Sequence, residues 1–264
     1  MDTKNNFNLP AAMVVSALVL GGAWIYTQKP ASGGNTAGLL GPQHEQDGIV
    51  LPVKWGDLGV KMISVGVIDP EKFEALYAGR GGLSESSKRL LYEDGNGSLE
   101  INQANSGEIL NLLWALGLGN RNNILIYGPM TTYDGKSPAS AEEALTKASG
   151  FASTGGWTLA KGHAMEHYAR HPFVILNEEQ QELAERVSKN VYRPCCKNST
   201  YFPDCNHGMA MLGLLELMAS QGAGEKEMYD TAAKVNAYWF PELQSSGCDI
   251  GAGVPQTQSS GCGV

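Results

Sequence analysis

The chain has 264 residues, 42% of them apolar, enough to build a sizeable core and to exclude disorder throughout. With 19 Lys and Arg against 27 Asp and Glu the formal charge is −8, and no basic run occurs, which excludes a nucleic-acid backbone as partner.

No side chain between Asn5 and Gln28 is charged, and Leu9–Tyr26 is almost wholly apolar. As a helix this stretch reaches about 27 Å, close to the hydrocarbon thickness of a bilayer. It reads as a membrane anchor over 9–27, with Trp24 and Tyr26 at the interface. A cleaved signal peptide and a buried core helix are the alternatives; the first lacks a clear A-x-A site. A short tail, 1–8, implies that the tail stays cytoplasmic and that the body lies outside the cytoplasm, held by a single pass through the cell membrane. Disulfides persist there. Residues 28–50 are rich in Gly, Pro and small polar residues, the composition of a flexible linker.

The stretch 51–150 reads as a small mixed α/β unit. Asp69-Pro70 offers a cap followed by proline at the first helical position, and Phe73, Leu76 and Tyr77 share a face of the helix that follows. Asp94–Ser98 has the D-x-N-x-S opening of an EF-hand loop. Leu99 stands where the invariant Gly belongs and Asn105 where the bidentate Glu belongs, so it is read as a turn between Leu90–Tyr92 and Leu99–Ile101. Asn105 or Ser106 caps a second helix, with Ile109, Leu112, Leu113 and Leu116 as its apolar stripe.

Residues 151–243 read as an antiparallel helical bundle. Its helices are Trp157–Ala169; one opened by Asn177 in a capping-box pattern, with Leu183, Val187 and Val191 spaced by four; one with Met209, Leu212, Leu215 and Met218 inward; and one from Glu225 to Trp239, ended by Pro241. The last segment, 244–264, is a Gly/Ser-rich flexible tail carrying Cys248 and Cys262. The fold class expected is α+β, mainly α.

Between the second and third bundle helices lies YRPCCKNSTYFPDCNHG, with Cys195, Cys196, Cys205 and His207. Three thiols and an imidazole suit a soft metal ion such as copper or zinc. Met209 and Met211 are candidate thioether additions, although Met209 also lies on the apolar stripe. A redox reading pairs two of Cys195, Cys196 and Cys205, with Cys196–Cys205 sterically the easier bond. In a third reading one structural disulfide staples the loop. The tail thiols Cys248 and Cys262 would pass the ion to, or take it from, a metal donor or acceptor or a thiol-exchange partner. His163, His167 and His171 are spaced by four, and on a continuous helix His163 and His167 would form a second metal pair beside Glu166. Pro172 disfavours helix at His171. No nucleophile elbow, Walker loop, Rossmann pattern or H-E-x-x-H is present, so hydrolase and nucleotide chemistry are not indicated.

The run from Glu178 to Trp239, helix, Cys loop, helix, glycine turn and helix, resembles the periplasmic domain of the CcmH/CycL family of cytochrome c maturation. The resemblance implies that helical fold; the family's thiol chemistry on an apocytochrome rests on a C-x-x-C pair. The resemblance places the second cysteine of the family's C-x-x-C at Cys196 and the first at Arg193, so the dithiol is not retained.

Overall fold

The computed structural model describes residues 48–194 and 198–242. The anchor expected at 9–27, most of the expected linker, Cys195, Cys196 and the last segment with Cys248 and Cys262 lie outside the described residues. Among those described, no helix is long and apolar enough to cross a membrane.

The architecture of the described residues is mainly helical with one two-stranded antiparallel sheet. Strand β1 (Ile49–Gly56) pairs with β2 (Asn96–Ile101), Ile49 opposite Ile101 and Gly56 opposite Asn96. Leu51, Val53 and Trp55 alternate into the core, the period-two signature of a half-buried strand. The Trp55 indole donates to the Leu90 carbonyl at 2.8 Å. On the strand's other side the Gln221 amide bonds both the N–H and the C=O of Lys54, each at 2.8 Å.

Helices α1 (Leu58–Val65), α2 (Pro70–Ala78) and α3 (Glu85–Tyr92) lie between the strands in sequence. Asp69 caps α2 as expected, accepting from the Glu71 and Lys72 N–H groups. Phe73 and Tyr77 are buried there, whereas Leu76 is 49% exposed and belongs to the outer face. The run Leu90–Tyr92 ends a helix and is not a strand; Asn96 explains the turn after it. Its side-chain amide donates to the carbonyls of Glu93, Arg89 and Gly56, tying the end of α3 to the sheet.

The centre of the molecule is a crossing of α4 (Ser106–Gly119) and α10 (Asn206–Ser220). A Cβ on Gly117 would overlap the Met209 carbonyl oxygen, and one on Gly213 would come within 2.6 Å of the Leu113 carbonyl oxygen. Two glycines therefore let the backbones touch. Every residue of α10 from Gly208 to Ala219 is buried, as a helix enclosed by neighbours requires.

The short helices α5 (Asn123–Tyr127), α6 (Pro129–Thr132), α7 (Ala141–Ser149) and α8 (Ala152–Gly155) cover one flank. The bundle is completed by α9 (Glu178–Asn190) and α11 (Glu225–Trp239). The capping box of α9 is present, Asn177 and Gln180 exchanging side-chain-to-backbone bonds. Gln180 at the start of α9 reaches Ser220 at the end of α10, and Trp239 at the end of α11 meets His207 at the start of α10. Both neighbours thus run antiparallel to α10. Because α4 packs on α10, the stretches 51–150 and 151–243 share one core instead of each enclosing its own.

The helix expected over Trp157–Ala169 is not formed. The segment is irregular with one 3₁₀ turn at Ala164–Glu166. Its backbone groups are spent on other segments: Leu159 C=O accepts from Asp69, Lys161 N–H donates to Gly66, and Ala169 and His171 donate to Leu118 and Gly119. Gly162 at φ +75° and Ala169 at φ +51° also leave the helical region.

Candidate functional site

After α9 the chain doubles back on itself. Tyr192 and Ser199 form an antiparallel bridge, the Arg193 N–H donates to the Asn198 carbonyl, and Thr200 N–H returns to Val191. The described part of the loop, 193–194 and 198–205, is built around the Arg193 side chain, which is fully buried.

A guanidinium remains charged in proteins, so burial requires acceptors for its donors. Nε reaches the Asn198 carbonyl at 3.2 Å, and Nη2 the Ser199 and Phe202 carbonyls at 3.1 and 2.7 Å. Nη1 donates to Asp204 Oδ1 and to Cys205 Sγ, both at 2.8 Å. Asn198 Nδ2 holds the other Asp204 oxygen at 2.8 Å. The guanidinium lies where a side chain at position 208 would be: a Cβ on Gly208 would overlap Nη1. The glycine of D-C-N-H-G thus makes room for Arg193.

Cys205 is the N-cap of α10, and its carbonyl accepts from Met209 N–H. Its sulfur therefore meets both a guanidinium and the positive end of a 15-residue helix. His207 lies on the same helical turn, but its ring packs on Phe240 and Trp239, with centroids 4.5 and 5.8 Å away. Met209 and Met211 are fully buried in the core, which removes them as thioether candidates. The loop is seated on the rest of the fold through Phe202, edge-on to Phe151 at 5.2 Å, and through Ser153 N–H to the Asp204 carbonyl at 3.0 Å.

His163 and His167 are at the other end of α4. Trp239, beside His207, bonds the Ser106 carbonyl, whereas His171 bonds Gly119; the 14 residues between span about 20 Å. The structure does not bring the histidine segment and the thiol loop together. With the helix absent, the i, i+4 pairing of His163 and His167 is lost as well. His163 Nδ1 accepts from Met165 N–H as the cap of the 3₁₀ turn, and His167 pairs with His171. Among the described residues no three His, Cys, Asp or Glu side chains converge as a metal site.

One more buried ionisable group lies on α10. Glu216 is fully buried and accepts at Oε2 from Asn120 Nδ2 at 2.6 Å, while Oε1 has no hydrogen-bond partner among the described residues. Burial pushes its carboxyl from 4.5 up to about 8, the Asn120 bond pulling the other way, so it holds its proton at neutral pH.

Compared with protein-family models, with curated proteins and with solved structures, the chain matches none.

Sequence reasoning marked Cys205 and His207 but not the residues that organise the loop, Arg193, Asn198, Asp204 and Gly208. The available signal was the D-C-N-H-G run, in which a glycine inside a helix start asks what approaches so closely.

Proposed function

We propose that the loop is a reactive-thiolate site whose chemistry is thiol–disulfide exchange, with Cys205 as nucleophile and Cys195 or Cys196 as its partner thiol. The observation that carries this reading is the 2.8 Å bond from Arg193 Nη1 to Cys205 Sγ at the N-terminus of α10. A cation and a helix N-terminus each favour S⁻ over S–H, and the thiolate is the attacking form. Arg193 and Asn198, which flank the Cys195–Cys196 pair in sequence, bond to each other and to Asp204. Chain connectivity therefore tethers those two thiols to the segment bearing Cys205. Held by the 9–27 anchor outside the cytoplasm, the site would act where disulfides form, on the thiols of a partner protein.

Alkylation of the reduced protein followed against pH tests this. The expected result is an inflection for Cys205 well below the ~8.5 of an ordinary cysteine, with a reversible dithiol–disulfide couple that Cys205→Ser abolishes. An ordinary inflection together with redox-inert thiols would refute it.

The second reading is a soft-metal site for copper or zinc through Cys195, Cys196, Cys205 and His207. It is favoured by the same Arg193 bond, since a hydrogen bond to sulfur from outside the ligand set is how metal thiolates are oriented. Stoichiometric metal on anaerobic purification, lost in Cys205→Ser, would establish it over exchange.

A further inference from the structure

At the far end of α4 from the thiol loop, we infer that His167 and His171 form a site for a monovalent d¹⁰ cation, Cu⁺ or Ag⁺, bound linearly between two imidazole nitrogens. His167 Nδ1 and His171 Nε2 are 3.2 Å apart and their ring centroids 5.5 Å apart. The second distance equals the first plus the depth of one nitrogen in each ring. The two nitrogens therefore face each other along the line joining the rings.

His167 is fixed for this role. Its Nε2 is 2.9 Å from the Lys161 carbonyl, which only accepts, so Nε2 carries the ring proton and Nδ1 presents its lone pair to His171. A backbone carbonyl holding the far nitrogen of an imidazole is the usual support of a metal-ligating histidine. His167 is 7% exposed, with Gly66 beside its Cε1. His171 is the movable partner: half-buried, stacked on Phe173 at 5.2 Å, and tied by its backbone to Gly119.

Without an ion, His171 Nε2–H donates to His167 Nδ1. On binding, that proton leaves Nε2 and one is taken up at His171 Nδ1, which has no hydrogen-bond partner among the described residues. The tautomer changes and no net proton is released. Two collinear bonds of about 2 Å to imidazole require nitrogens about 4 Å apart, so the pair must open by less than 1 Å. A linear arrangement suits a d¹⁰ monovalent ion and not tetrahedral Zn²⁺.

The test is a titration of the reduced, ¹⁵N-labelled full chain with Ag⁺, carried past the equivalents that its five cysteines take first. Silver's spin-½ nuclei split the signal of a bound ¹⁵N. The expected result is one further equivalent that splits both His167 Nδ1 and His171 Nε2, kept in His163→Gln, with the His167 Nδ1 splitting lost in His171→Gln. Absence of that splitting, or a splitting unchanged in His171→Gln, would overturn the inference.

Discussion

Two ionisable side chains are buried at opposite ends of helix α10, and they are accommodated in different ways. Arg193 packs over the helix start with five acceptors around its guanidinium. Glu216, about three turns along, has one donor, and its second oxygen lacks a partner among the described residues. Arginine cannot give up its charge, so the loop had to be assembled around it; a carboxyl escapes the desolvation cost by keeping its proton. One residue dictates its surroundings and the other yields to them.

The sharpest way to break this contrast is Arg193→Met. It removes a buried, fully bonded charge, strands three carbonyls and Asp204, and is expected to cost about 3–5 kcal/mol in urea unfolding. A cost near zero would mean that the loop stands without the network. Glu216 supplies the opposite test. Its folded value is about 8 against an ordinary 4.5, so the folded state holds more protons than the unfolded one across that window. Its contribution to stability is then fully present below 4.5 and falls by about 1.4 kcal/mol per pH unit as pH rises toward 8. Glu216→Gln is expected to remove that slope, read by unfolding at pH 5, 6.5 and 8.

Gly208→Ala sharpens the comparison from the other side, because its methyl group displaces the guanidinium. A loss of about 1–3 kcal/mol is expected, and in a double-mutant cycle with Arg193→Met the two losses should fall well short of additive. The smallest effect is Asn177→Ala, which removes the α9 cap for about 1 kcal/mol. It should add to Arg193→Met within error, showing that the coupling is confined to the loop.

What could be read from the sequence was what the chain decides locally. The caps Asp69 and Asn177 and the stripes Ile109–Leu116 and Met209–Met218 all act in the structure as their residue types require. The Trp157–Ala169 segment misled because its helix-like composition is overridden by backbone bonds to Gly66, Asp69, Leu118 and Gly119, partners 50 or more residues away in sequence. Strand β1 carried a readable alternation, Leu51, Val53, Trp55, concealed by Pro52 and by its closeness to the linker. At the site, the crowd of thiols was plain. The part played by Arg193 was not, since an arginine in a loop ordinarily points to solvent and its acceptors are carbonyls that carry no sequence signature.

The side chain of Gln221 has a consequence beyond the packing it contributes. A two-stranded sheet has no third strand to satisfy its outer edge, and such an edge is a template on which another chain can polymerise. By occupying both backbone groups of Lys54, one glutamine amide stands in for a missing peptide unit, and Pro52, two residues earlier, offers no N–H. At Lys54 the edge of β1 is thus closed to a further strand by a single side chain, anchored where α10 ends.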